Sequence, residues 1–140
     1  MKILQQRLAT AFNLTEDLAK TLNQENLKLP LGTLPSNTIG EQFGCIIGAR
    51  ESYARAIEQG AWAGYTCSVS DCHSQDQMLR GLQTSGLHIF ARLEESLQEE
   101  QLQYAFLLLE HEVQHHGQLI RYMYGNRLPF PPSWHTRYTV

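Results

Sequence analysis

The spacing of apolar residues along the chain predicts four amphipathic helices. In the first segment the apolar positions recur three and four residues apart, at Leu4, Leu8, Ala11, Phe12, Leu18 and Leu22. The second helix carries the pattern at Ile39, Phe43, Ile46, Ile47, Tyr53 and Ile57. The third carries it at Met78, Leu79, Leu82, Ile89, Leu93 and Leu97. A fourth periodic segment runs from about residue 102 to residue 124.

Start and stop signals flank these helices. Thr38 and Glu41 form the S/T-x-x-E/Q pattern of a capping box, and the S-x-x-Q pattern at 74–77 repeats it. Gly60 and Gly125 are suitable stops, because glycine adopts the left-handed conformation at low cost. The second, third and fourth predicted helices therefore have at least one defined boundary each.

The connections and the tail complete the predicted architecture. A long loop rich in small and aromatic residues separates the second and third helices, and the tail LPFPPSWHTRYTV is rich in proline. Four amphipathic helices pack most simply as a bundle. We therefore predict an all-α four-helix bundle, a single domain over residues 1–140, with a long loop between helices 2 and 3 and a non-helical C-terminal tail.

Composition excludes several classes of protein. The formal net charge of −3 and the sequence pI of about 6.0 argue against a nucleic-acid-binding protein, which needs a basic patch. Apolar runs are too short for a membrane span, and the first twelve residues lack the apolar core of a signal peptide. Cys45, Cys67 and Cys72 follow no disulfide framework, so we expect reduced thiols in a cytoplasmic protein.

Residues 111–115, HEVQH, spell the H-E-x-x-H signature of zinc proteases. His111 and His115 share one helix face, and this face also carries apolar side chains, at Leu107, Leu108, Leu119 and Tyr122. Two imidazoles on an apolar face need polar partners, and a metal ion would satisfy both. The alternative is a pair of core histidines bonded to side chains or water.

The rest of the protease pattern is missing. The longer form of the motif needs glycine and histidine where this chain has Gln118 and Arg121. The other form needs an acidic ligand on a later helix, and no Asp or Glu follows Glu112. We therefore interpret Glu112 as a helix-surface residue, or as a carboxylate that orients a ligand histidine, and not as a general base. We expect Arg50 and Glu51 on a solvated or interface face.

Three stretches together resemble the DinB-like family of metal-binding four-helix bundles, which includes damage-inducible proteins and thiol-dependent S-transferases. They are EHEVQHHGQLIRYMYG at 110–125, TIGEQFGCIIGARESYARAI at 38–57 and PPSW at 131–134. These pieces cover about a third of the chain. The H-x-x-x-H followed by G-Q is the most specific of them.

The resemblance implies a metal site. In the family three histidines typically hold a divalent ion, and His111 and His115 match the two from the fourth helix. The third comes from the second helix, which has no histidine here, and the closest position is Cys45. A thiolate ligand would favour zinc, with nickel or iron as alternatives. Cys45 could instead be a small core residue, and Gln42 could bond a ligand or a water.

The same resemblance implies a function. The expected chemistry is S-transfer from a low-molecular-weight thiol, or a hydrolysis, at one divalent metal in the bundle core with a small-molecule substrate. The alternative is a metal-free stress-response or binding scaffold that has lost the third histidine. We also expect a homodimer, because the fourth helix carries a second set of apolar residues, Phe106, Leu109, Val113 and Ile120.

Overall fold

The computed structural model describes residues 2–94 and 96–140, and the regular elements of these residues are helices. In chain order they are α1 (Lys2–Thr21), α2 (Gln24–Leu27), α3 (Ile39–Gln59), α4 (Gln75–Leu93), α5 (Glu99–Gly125) and α6 (Pro132–Arg137). The predicted all-α class is confirmed, and α1, α3, α4 and α5 are the four predicted long helices. None of the described helices combines the length and the apolar character that a membrane crossing requires.

The four long helices lie at the corners of a square when the bundle is viewed along its axis. Helix α3 contacts α4 and α5, and α1 contacts the same two helices, so α1 and α3 occupy opposite corners. Gln42 of α3 lies next to His115 of α5, whereas Gln101 of α5 bonds the Ile57 carbonyl near the other end of α3. Helices α3 and α5 are therefore antiparallel. Their facing side chains define the interior of the bundle.

Most of the predicted helix boundaries agree with the structure, but Leu97, assigned to the third helix, lies beyond the end of α4 at Leu93. The Thr38 hydroxyl accepts from the Glu41 N–H at 3.2 Å, and the Glu41 carboxylate accepts from the Thr38 N–H at 2.7 Å. Gly60 ends α3 in the left-handed conformation, with φ 67°. Ser74 caps α4 by accepting from the Gln77 N–H, but the Gln77 side chain bonds the preceding loop instead. The second predicted capping box is therefore half formed.

The prediction of a non-helical tail is wrong. Residues Pro132–Arg137 form α6, which carries proline in its first turn, where the missing N–H is not needed. Trp134 anchors this helix: its side chain is fully buried, and Nε1 donates to the Leu14 carbonyl at 2.7 Å. The prolines that were interpreted as loop residues therefore begin a short helix, whose stability comes from packing against α1.

A row of glycines on α3 allows the loop between α3 and α4 to pack closely against the helix. A Cβ atom added at Gly40 would lie 2.1 Å from the Cys72 carbonyl oxygen, and one at Gly44 would lie 2.6 Å from the Cys72 Sγ. A Cβ at Gly48 would lie 2.1 Å from the Tyr65 hydroxyl. These glycines are four residues apart and share one helix face. The loop can approach α3 closely because this face has no side chains.

Replacing Gly40 by alanine should lower the free energy of unfolding by about 1–3 kcal/mol, because the new methyl group meets a backbone carbonyl that cannot rotate away. Gly117→Ala is the matched control: this glycine of α5 has open space around it, so alanine should raise helix stability by up to about 1 kcal/mol. Urea unfolding of both variants provides the measurement. Equal stability of the two would contradict the close approach of the loop.

Candidate functional site

Helix α5 places the two histidines of the H-E-x-x-H motif side by side. The ring centroids of His111 and His115 are 4.6 Å apart. His115 is buried, with 8% of its surface exposed, and His111 is half-buried. The pair therefore lies at the edge of the core.

Gln42 fixes the orientation of His115. The Gln42 Oε1 lies 2.7 Å from His115 Nδ1, and the Gln42 Nε2 donates to the Asn37 Oδ1 at 2.9 Å. Because a carbonyl oxygen only accepts, His115 Nδ1 carries the proton and Nε2 keeps a free lone pair. Histidines that bind metals commonly donate their other ring N–H to an oxygen in this way. Gln42 therefore contacts one of the two predicted ligand histidines, and the role of His115 as a ligand stays a prediction.

His111 has a polar atom without a partner. Its Nδ1 is buried and forms no hydrogen bond with the described residues. The ring lies 6.5 Å from that of Tyr53, which in turn packs 5.2 Å from the half-exposed Trp62. A buried polar group without a partner costs free energy. A ligand or ion that bonded this nitrogen would remove that cost.

Burial favours the neutral form of both imidazoles. Burial lowers the pKa of His111. Burial, followed by the charge of His111, lowers the pKa of His115 to about 4. Neutral imidazole is the form that binds metal ions, so protons do not compete for the pair at physiological pH.

Cys45, the third predicted ligand, has other neighbours. The thiol is exposed, which contradicts the alternative that Cys45 is a small core residue. Partial burial and then the charges of Cys67 and Glu41 raise its pKa. Among residues 2–94 and 96–140, no three His, Cys, Asp or Glu side chains gather closely enough to hold a metal ion. The structure brings His111 and His115 together, and Cys45 as their third partner stays a prediction.

Glu112, between the two histidines, forms a buried ion pair. Both Glu112 and Arg50 have side chains that are 0% exposed, and they form two hydrogen bonds, at 2.5 and 3.1 Å. Arg50 also donates to the Leu82 carbonyl at 3.0 Å and lies 3.6 Å from the centre of the Phe12 ring. The expectations of a solvated Arg50 and a surface Glu112 are therefore wrong. Each charge is buried because the other neutralises it.

The ion pair continues into a chain of hydrogen bonds that reaches the C-terminal residues. The Thr15 hydroxyl donates to Glu112 at 2.5 Å and lies 2.8 Å from His116 Nε2. His116 Nδ1 lies 2.8 Å from the Tyr138 hydroxyl, and burial lowers the pKa of His116 to about 4. The chain connects α1, α3, α5 and the C-terminal segment. His116 therefore bonds to this network and does not join the histidine pair.

The network also determines the ionisation of Glu112. Burial alone would raise the pKa of this carboxyl, but the charge of Arg50 and hydrogen bonds from Arg50 and Thr15 lower it below its ordinary value. A carboxylate that is ionised, buried and fully bonded is a poor general base, because accepting a proton would break the ion pair. The geometry therefore disfavours proteolysis by the H-E-x-x-H motif.

No protein-family model and no curated protein matches the chain. The resemblance to the DinB-like family therefore depends on the three quoted stretches and on the bundle.

Proposed function

We propose that the chain is a metal-dependent protein of the DinB-like type that binds one divalent ion at His111 and His115. The observation that supports this most is the state of the pair: His115 presents a free Nε2 because Gln42 holds its Nδ1, and the buried His111 Nδ1 has no partner. Burial favours the neutral form of both rings, and two neutral imidazoles suit zinc, with nickel or iron as alternatives.

The residues present supply two protein ligands and leave the other positions open. Cys45 could provide a third if its side chain turned towards the pair, and water or a substrate thiol would occupy the rest. A bound ion would act as a Lewis acid and lower the pKa of a coordinated thiol or water. Tyr53 and the half-exposed Trp62 lie beside His111 and would provide an aromatic wall for a small-molecule substrate.

We infer that the reaction is S-transfer from a low-molecular-weight thiol to an electrophile, or alternatively a hydrolysis. In either case Gln42 keeps His115 in one orientation, and the buried Arg50–Glu112 pair keeps α3 and α5 in register. A second candidate is a metal-free binding scaffold. It is favoured by one observation: no three-donor group exists among the described residues.

Zinc titration of chelator-treated protein separates the two candidates. We expect one zinc ion per chain by calorimetry, and no binding in His111→Ala. Zinc-loaded protein should also accelerate the reaction of a simple thiol with 1-chloro-2,4-dinitrobenzene, whereas zinc-loaded His111→Ala should not. If the wild-type protein binds zinc but does not accelerate the thiol reaction, the proposal is restricted to metal binding. If the wild-type protein neither binds zinc nor accelerates the reaction, the scaffold is favoured.

We also propose a homodimer through the outer face of α5. Phe106 and Val113 remain 54% and 41% exposed, and Leu109 and Ile120 on the same helix are half-buried. Exposed apolar patches commonly mark interfaces. Light scattering at micromolar concentration should give twice the 16.0 kDa chain mass, and Phe106→Glu should give the monomer mass. Leu87→Glu, at an apolar position on α4 that is 65% exposed, should stay dimeric. A wild-type monomer would contradict the proposal.

A further inference from the structure

A cleft of about 150 Å³ lies between α1, α5 and the C-terminal residues. Two arginines from opposite ends of the chain, Arg7 and Arg137, line it together with Tyr138. Leu109 and Val113 of α5 form an apolar wall. Positions two residues apart on a helix are rotated by about 200°, so this wall faces away from His111 and His115. The cleft is therefore separate from the proposed metal site.

The two arginines lack ionic partners. Neither guanidinium lies within 4.0 Å of a carboxylate of the described residues, whereas Arg50, Arg80 and Arg92 each pair with an acidic side chain. None of the described residues that line the cleft is acidic. In a chain with a formal net charge of −3, this is a local concentration of unpaired positive charge.

The charges of Arg137 and Arg7 both act on the Tyr138 hydroxyl. Burial raises the pKa of Tyr138, and so does the charge of Glu112. Arg137, through its charge and a hydrogen bond, and the charge of Arg7 act in the opposite direction. The Tyr138 hydroxyl is within 2.8 Å of His116 Nδ1, and the Arg137 guanidinium lies 5.5 Å from the centre of the Tyr138 ring, so both guanidiniums line this end of the cleft beside Tyr138. An anion between them would receive two charge-assisted contacts.

A hollow next to the cleft restricts where the charged end of a ligand can lie. The cleft adjoins a hollow of about 400 Å³ that shares Thr10, Leu14 and Arg137, and Asp17 lines this hollow but not the cleft. A negative group is disfavoured near Asp17, so the charged end of a ligand belongs between the arginines. The apolar part of the ligand would lie against Leu109 and Val113.

We propose that this cleft binds a small organic anion, a carboxylate that carries a short aliphatic chain. Two guanidiniums recognise the carboxylate, and the α5 wall receives the chain. The ligand class follows from the donors, the absence of acidic lining residues and the volume. The proposal does not depend on the metal site.

Titration with hexanoate, followed by ¹H–¹⁵N NMR of the full chain, tests the proposal. Hexanoate should shift the Arg7, Arg137 and Tyr138 resonances and leave those of His111 unchanged. Arg7→Gln and Arg137→Gln should each weaken binding by about tenfold or more, since each removes one charge-assisted contact. Arg121→Gln, at an exposed arginine elsewhere on α5, should bind as the wild type does.

Two further ligands test each half of the recognition. Hexan-1-ol lacks the charge and acetate lacks the chain, so both should bind more weakly than hexanoate. The titrations are repeated in Phe106→Glu, so that a dimer covering Val113 cannot hide the cleft. Three results would overturn the proposal. They are no hexanoate binding in Phe106→Glu, equal hexanoate binding in all arginine variants, and binding of hexan-1-ol as tight as that of hexanoate.

Discussion

Replacing Glu112 by alanine should lower the free energy of unfolding by about 3–5 kcal/mol, because the change leaves the Arg50 guanidinium charged and fully buried without its partner. Arg50 would keep only the Leu82 carbonyl and the Phe12 ring as neighbours of suitable polarity. The Thr15 hydroxyl would also lose its acceptor on Glu112. Guanidinium chloride unfolding, with the slope compared between variants, measures the effect.

Glu110→Ala is the control for this prediction, because Glu110 is the neighbouring exposed glutamate of α5 and its loss should leave stability nearly unchanged. The double variant Arg50→Met/Glu112→Leu should recover most of the loss, since a buried ion pair replaced by apolar residues of similar size is commonly neutral or stabilising. A Glu112→Ala protein as stable as Glu110→Ala would contradict the buried pair and return Glu112 to the role of a possible base.

Zinc should stabilise the folded chain by about 4 kcal/mol when its free concentration is about a thousand times the dissociation constant. The gain follows from mass action, because the folded chain holds His111 and His115 together and the unfolded chain does not. His111→Ala and His115→Ala should each abolish the gain while they leave the metal-free protein folded. Thermal and denaturant unfolding with zinc and with a chelator provides the measurement. An unchanged response in both variants would place the zinc elsewhere.

Variants of Gln42 and Cys45 then assign the remaining ligands. Gln42→Ala should reduce zinc affinity by about 10–100-fold, as is typical when the partner that orients a ligand histidine is removed. Cys45→Ala should abolish the zinc response if the thiol is the third ligand, and Cys45→His should then restore it. A full response in Cys45→Ala would leave a two-histidine site that is completed by solvent or substrate.

Local patterns in the sequence predicted the helices because the formation of a helix depends on residues that are close together in the chain. The four long helices follow from apolar spacing, and the start of α3 follows from Thr38 and Glu41. Helix α6 was missed because proline is common both in loops and in the first turn of a helix. The buried position of Trp134, which anchors α6, is a tertiary feature that no local pattern contains.

Sequence patterns likewise predicted only part of the candidate site. The proximity of His111 and His115 is a property of one helix and needs no tertiary information. The pairing of Arg50 with Glu112 joins residues 62 positions apart, and neither residue carries a local sign of burial. The cleft between Arg7 and Arg137 joins opposite ends of the chain for the same reason. Such contacts become visible only when the helices are packed.

Anomalous diffraction at the zinc edge, from crystals of the zinc-loaded protein, tests the central proposal most directly. We predict one strong peak per chain between the imidazoles of His111 and His115, with Gln42 still bonded to His115 Nδ1. The peak should be absent in crystals of His115→Ala grown in the same way. A wild-type structure with no peak at the pair, or with its zinc at the exposed thiol of Cys45 alone, would contradict the proposed metal site.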